Sequence, residues 1–582
     1  MKTEKAYFEG KSGMANFSLL YPQGSGNSSH GGDATLELSP AAAHDLGLDE
    51  IIAAFTPVRE HQKEIRNLFS RLPRDPEVIT YRQAVLDDLL ANPELADRFA
   101  SLLPVIDSLF KYRGTRRSHH EMTWLHEVIW QAGELQNMID CIEGMDEIFR
   151  SLEGKIHSNG LQELREEIRK AQEDPKYQSL VRELPGLLSK LRGCTSLTIG
   201  VNLDDRLRPI QAALLSVNEK PFTDQSVLNR LFGLRKGSEG IAPLHSVPRR
   251  NVEGQYALPI DPELGWAVEP MMIPLFADLA KVLEKTALPI AEQLSQYVGL
   301  HGKLFADLRQ GLLFYLGAIR FIRRFQKLEL SMCRPQIVPA EERRCEVKDS
   351  YNVQLVLKHL ELEAGTGPAV VENDIFLGQN GHIFILTGPN RGGKTTYMQG
   401  VGVLHILAQA GCYVPGTQAI VSPLDHLFTH FPLEEKPDSD AGRFGEEASR
   451  LGKVFEQVPR HSLVLLNESL SSPSFGESLY LAQDLVRILR RIGTRAIYST
   501  HLHELGNRVD ELNGSVSGDS KIISVVSSPV DTGVDAKGAE GNRTYKLERR
   551  PPLGQSYARE IAARYGISYG QLEKVLSERG VL

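Results

Sequence analysis

HIFILTGPNRGGKTTYMQG, residues 382 to 400, decides how the carboxyl-terminal part of this chain folds. An apolar run short enough for one buried strand meets a Gly-rich turn, and helix-forming residues begin at Lys394. Within it, Gly388, Pro389, Asn390, Arg391, Gly392, Gly393, Lys394 and Thr395 fit the P-loop pattern, with Thr396 beside them. Glycines let backbone N–H groups wrap a phosphate, and the helix start adds partial positive charge. Lys394 carries a mobile charge for the outer phosphates, and Thr395 offers a hydroxyl to Mg²⁺, so ATP with Mg²⁺ is the expected ligand pair.

Working outward, SLVLLNE (462–468) is a second apolar strand, ending in Asn467 and Glu468, the layout of a Walker B strand. An aspartate is usual where Asn467 stands. A neutral amide still accepts a hydrogen bond but attracts the cation less, so Asn467 is expected as a weak metal-side ligand beside Thr395. Glu468 is the candidate to orient or deprotonate the attacking water, against the alternative of a helix cap or surface acid. RAIYSTH (495–501) brings His501 to the end of a third strand, where it would face the γ-phosphate or its water. Strands alternating with helices from residue 350 onward predict an α/β domain with a mainly parallel sheet.

The rest of the chain has another texture. At 582 residues it exceeds one core, and 41% hydrophobic with 24% charged residues is an ordinary globular balance. Net charge of −8 confines any nucleic-acid contact to local basic patches: Arg113, Arg116, Arg117, His119 and His120; Arg249 and Arg250; and Arg320, Arg323, Arg324 and Lys327. Cysteines are scattered without a CxxC pair, which gives no zinc ribbon or disulfide framework. No run of about 18 apolar residues occurs, so a cytoplasmic protein without membrane contact is expected.

The expected architecture is multidomain, α and α/β. Residues 1–40 read as leader and flexible linker, Gly- and Ser-rich over 23–34, and 41–193 as a helical core with long amphipathic helices. Residues 194–262 read as a small β-containing insertion, 263–335 as returning helices and 336–582 as the nucleotide-binding domain.

The P-loop with its continuation AQAGCYVP (408–415), the strand SLVLLNES and the segment STHLHEL (499–505) together resemble the MutS family of ABC-type ATPases. DPEVITYRQAVLDDLLANPEL (75–95) is similar to the start of that family's helical core and lever arms, and the insertion falls where its DNA clamp would be. The resemblance implies a homodimer. Gly442, Arg443 and Phe444, followed by Glu447, stand where the family has the segment that completes the partner's nucleotide site in trans. Gly442 and Arg443 replace its serine and threonine, and Ser471–Glu477 departs from its Gly/Thr-rich loop. Gly554–Ala562 is similar to the segment before its dimer-packing terminal helices; Tyr7-Phe8-Glu9 does not fit its mismatch-reading motif.

The implied function is a dimeric ATP-hydrolysing clamp on DNA, double-stranded or branched, in repair or recombination. Two alternatives stay open: a nucleotide-binding switch or scaffold that does not hydrolyse ATP, and an ATPase directed at RNA or ribosomes.

Overall fold

The computed structural model describes residues 17–23, 35–111, 124–192, 196–206, 209–218, 289–361, 370–389, 392–432, 442–527, 544–552, 566–579 and 581. Those residues are helix-rich, with both parallel and antiparallel strands, and divide into two compact units. One draws on Pro104–Arg150 and Glu167–Lys303, the other on Lys11–Leu103, Ser151–Glu166 and Leu304–Leu582. None of the described helices is long and apolar enough to cross a membrane.

In the first unit, the helix Trp124–Ser151 up to Arg150 and the later half of Asn159–Glu173, from Glu167 on, accompany Pro175–Arg192 and an antiparallel hairpin, Ser196–Leu203 with Pro209–Asn218. The long apolar stretches of the sequence are cut where prolines open new helices, at Pro93 and Pro175. A proline at the first helical position gives up no hydrogen bond, so it restarts a helix at little cost. Arg249 and Arg250, and the basic cluster from Arg113 to His120, lie outside the described residues.

The second unit contains the helices α1 (Pro76–Ala91) and, from Leu304 on, α2 (Gly302–Gln326), then β1 (Ile383–Thr387), α3 (Lys394–Ala410), β2 (Leu427–His430) and α4 (Gly442–Phe455). There follow β3 (Leu463–Asn467), α5 (Phe475–Ile492), β4 (Arg495–Ser499), β5 (Ile522–Ser527) and β6 (Leu547–Glu548). The six strands form one sheet in the order β2-β3-β4-β1-β5-β6. Pairing is parallel throughout except at the β5–β6 edge. β1, β3 and β4 are buried along their whole length, which is why they read as continuous apolar runs rather than alternating ones. On one face, Val464, Leu466, Ala496 and Tyr498 pack with Ala482, Val486 and Leu489 of α5; α3 contacts the same strands. A separate four-stranded sheet pairs Gln336–Ile337, Gln418–Val421, Cys345–Ser350 and Asn373–Leu377 in that order.

Two buried arginines fasten this unit. Arg495, at the start of β4, donates to the carbonyls of Arg344, Ser422 and Pro423, and burial pushes its guanidinium down to about 10. Arg82 of α1 donates to Leu20 O at 2.9 Å and to Ala410 O, the last carbonyl of α3, at 3.2 Å. Its cation also lies 4.9 Å from the Tyr21 ring. Phe17, Leu19 and Leu20 are buried, so this part of the expected leader is core.

α3 ends at Gly411, whose φ of +89° is left-handed and whose missing Cβ would come within 2.5 Å of Arg82 Cβ. Replacement Gly411→Ala is therefore expected to destabilise the protein by about 1–3 kcal/mol, from the strained φ together with the contact. A lower urea midpoint at unchanged slope would show it; an unchanged midpoint would mean that the α3–α1 junction yields freely.

Candidate functional site

The carboxyl ends of β1, β3 and β4 lie level. Asn467 pairs with Ser499, and Ser499 in turn with Leu386, so the loops leaving all three strands open on the same edge of the sheet.

From β1 the chain enters Gly388 at φ +143°, close against β5: a Cβ there would approach Ser527 Cβ to 2.8 Å. Only glycine meets both conditions. Ser527 also donates its hydroxyl to Gly392 O at 2.6 Å, so β5 braces the loop at two points. Pro389 O accepts from Gly392 N at 3.1 Å. Lys394 is buried, its ammonium donating to Gly388 O at 3.1 Å and Pro389 O at 3.0 Å. Burial pushes that ammonium below its ordinary range, and the Glu468 carboxylate works against the shift. Asn390 and Arg391 lie outside the described residues.

At the second residue of α3, Thr395 donates its hydroxyl to Asn467 Oδ1 at 3.2 Å. Beyond Asn467, Glu468 takes a left-handed backbone, φ +49°, and its N–H bonds to Ser499 O at 2.9 Å. That turn directs the Glu468 carboxylate to His501, with Oε1 and Nε2 3.1 Å apart. The hydrogen bond holds Glu468 below the usual glutamate value; burial opposes it, while the charges of His501 and Lys394 add to it. Both side chains are partly exposed, 45% for His501 and 37% for Glu468, which leaves them open to a water.

The structure thus brings Thr395 to Asn467 and Glu468 to His501, with Lys394 feeling the same carboxylate. The oxygens of Thr395 and Asn467 suit a hard cation but are both neutral, and no cluster of three or more His, Cys, Asp or Glu that could hold a metal occurs among the described residues. Such a pair fits an Mg²⁺ that arrives on phosphates, not one held by protein alone. Gly442 opens α4, and Phe444 in its first turn is 41% exposed.

The structure adds features to those read from the motifs. Beside Gly393 and Thr396 a cavity of about 300 Å³ runs along α3, walled by Asn352, Val371, Asn373, Tyr397 and Tyr545. Glu447 of α4 accepts from Leu470 N at 2.6 Å and from the Ser472 hydroxyl at 3.2 Å. Glu477 accepts from the N–H and the hydroxyl of Ser474, so the divergent Ser471–Glu477 segment ends in a helix cap. Its Ser-x-x-Glu spacing was a readable signal. Of the basic residues 320–327, Arg320 donates to Phe55 O and so serves the fold, whereas Arg323 lies 3.8 Å from Asp97 in an exposed pair.

Two family models match the chain: the MutS2 N-terminal domain over residues 74–328 and MutS domain V over 384–527. Among curated relatives, the DNA mismatch repair protein MutS of Geobacillus thermodenitrificans is 28% identical over 236 residues, 39% of this chain and 25% of that protein. The Bacillus subtilis protein of the same name is 28% identical over 240 residues, covering 39% and 27%. That of Brevibacillus brevis is 33% identical over 149 residues, covering 25% and 17%. The similarity therefore spans about a quarter or less of each relative's length. With its helical part and its P-loop domain each matched to a MutS-family model, this chain belongs to the MutS family.

Proposed function

We propose that this chain is an ABC-type ATPase that works as a homodimeric clamp on DNA, double-stranded or branched, with the nucleotide state governing its helical arms. The observation that carries the reading is the pairing at the level strand ends: Thr395 with Asn467, and Glu468 with His501, beside the P-loop lysine. Backbone N–H groups of the P-loop and Lys394 would bind the phosphates, exchanging the Gly388 and Pro389 carbonyls for phosphate oxygens. The cavity beside Thr396 and Tyr397 has room for the nucleoside. Bound Mg²⁺, held by Thr395 and Asn467 through their oxygens, would supply charge neutralisation. Glu468, steered by His501, would take the proton of the attacking water, and His501 would face the γ-phosphate side. Gly442, Arg443 and Phe444 would close the partner's site in trans. Residues 41–193 and 263–335 would act as lever arms and 194–262 as the clamp, in DNA repair or recombination as the relatives' name suggests.

Neutral Asn467 favours a second reading, a switch that binds nucleotide without turning it over. Phosphate release decides between them: Glu468→Gln is expected to fall about 100-fold or more below the parent protein, whereas a parent rate no higher than that of Glu468→Gln would leave only the switch. Asn467→Asp is expected to lower the Mg²⁺ concentration for half-maximal turnover about tenfold, the effect of roughly 1.4 kcal/mol of added charge attraction. No change would place the cation elsewhere.

The pH dependence has a defined sign. Glu468 is active as a carboxylate, and its value is held below the ordinary 4.5, so acidification from neutrality removes the base only below that point. Replacing His501 by alanine removes the hydrogen bond that is the largest cause of that depression, so the acid limb of kcat should move upward. A profile measured from about pH 4 to 8 checks this; an unmoved limb would detach His501 from the base.

For the clamp, ATP-dependent binding to homoduplex, mismatched, branched and single-stranded DNA at two salt concentrations is the test, with structured RNA as control and sedimentation for the dimer. A nucleotide-sensitive preference for one DNA form is expected. Salt-labile binding to every polymer, indifferent to ATP, would overturn it.

A further inference from the structure

The loop that follows Glu468 is held by three different elements. Ser469 is fixed by the sheet: its hydroxyl lies 2.6 Å from His430 Nδ1 at the end of β2, and its carbonyl accepts from the Tyr498 hydroxyl of β4 at 2.8 Å. Leu470 and Ser472 are fixed by α4, through the two oxygens of Glu447. The backbone between these anchors is left-handed at two non-glycine residues, Glu468 at φ +49° and Leu470 at φ +64°. Such residues relax unless their surroundings hold them, and the Leu470 N–H has its partner in Glu447.

We propose that Glu447 is a positioning residue for the hydrolytic step: by gripping Leu470 and Ser472 it sets the turn that aims Glu468, and it makes α4 the element through which that aim is adjusted. The side-chain hydrogen bonds of Glu447 go to the loop, to the Leu470 N–H and the Ser472 hydroxyl. Its helix, however, opens at Gly442, Arg443 and Phe444, the segment proposed to close the partner's site, about one turn before Glu447. A shift of α4 along its axis would pull on Leu470 through a hydrogen bond of 2.6 Å, and so on the backbone two residues from the base. The grip needs hydrogen bonds, not charge: the amide of glutamine at 447 keeps one acceptor for the Leu470 N–H and can donate to the Ser472 hydroxyl, which then accepts, so glutamine should preserve the grip and alanine should not.

This inference rests on the hydrolytic reading, and its experiment separates the two. Phosphate release, equilibrium binding of a fluorescent ATP analogue and amide hydrogen exchange over residues 463–475 are measured on the full chain, for the parent protein, Glu447→Gln, Glu447→Ala and Ser472→Ala. Glu447→Ala is expected to lose kcat by about tenfold or more, the cost of a base displaced by a fraction of an ångström, with analogue affinity unchanged within about twofold. Exchange of the Leu470 amide should quicken in that variant alone, and Glu447→Gln should keep parent-like turnover. Unchanged kcat in Glu447→Ala, or a fall in which affinity drops in proportion and glutamine does no better, overturns the proposal. If Glu447→Ala does not fold, Ser472→Ala carries the test: a several-fold loss of kcat at constant affinity supports the grip, and parent-like kcat overturns it. If the parent protein shows no turnover, the hydrolytic reading falls by itself. Exchange then decides whether Glu447 pins the loop, and equal Leu470 protection in the parent and Glu447→Ala would overturn that too.

Discussion

Parallel pairing of β4 between β3 and β1 is the constraint on which the rest of the second unit depends. Leu465 faces Ile497, and Ile497 faces Phe384; two residues on, Asn467, Ser499 and Leu386 are again level. A slip of one residue would turn every side chain of a fully buried strand to the opposite face, against α3 or α5, so the register is firmly held. Because it is held, Gly388, Glu468 and His501 emerge from one edge of the sheet within reach of one another. The chemistry is a by-product of the packing: residues distant in sequence meet because apolar strands beneath them have one acceptable alignment.

The electrostatics of the site follow from burying few charges. Lys394 is buried with backbone carbonyls as its hydrogen-bond partners and one carboxylate, Glu468, to counter the cost of burial. Asn467 adds an acceptor for Thr395 without adding a second anion. An aspartate there would favour the cation and, at the same time, draw on Lys394. The asparagine thus spares Lys394 a second nearby anion, at the expense of attraction for a cation; in the proposed function, the nucleotide would bring most of the charge that holds Mg²⁺.

What could be read from the sequence was whatever is local. The strands 383–387, 463–467 and 495–499 and the helix start at Lys394 are announced by apolar runs and glycines, and the site residues inherit their positions from these. Contacts made across long separations had no such signal. Arg82 and Arg495 look like surface residues in sequence, yet each is buried because carbonyls from Leu20 and Ala410, or from Arg344, Ser422 and Pro423, converge on it. The cavity beside α3 is assembled from residues 352, 373, 397 and 545 and has no linear pattern. Phe17, Leu19 and Leu20 were hidden by the Gly- and Ser-rich composition of the stretch that follows them, although a short apolar run can dock by itself. The basic stripe on α2 misleads in the opposite direction, since charge spacing alone does not reveal that Arg320 is engaged by Phe55 O.

The turn at 468–470 shows why a motif locates a candidate catalytic group without explaining its aim. A left-handed non-glycine residue costs about 1–3 kcal/mol where nothing compensates it. Two of them bracket Ser469, and four interactions surround them: Glu468 N–H with Ser499 O, Tyr498 with Ser469 O, His430 with the Ser469 hydroxyl, and Glu447 with Leu470 N–H. Each such bond contributes roughly 0.5–1.5 kcal/mol net, enough together to hold the strained turn and too little singly. Three come from sheet residues whose positions the register fixes, and the fourth comes from a helix that is not part of the sheet. A strained turn held jointly by a rigid frame and a separate helix responds to that helix, because removing one anchor in four changes which backbone conformation is lowest in free energy.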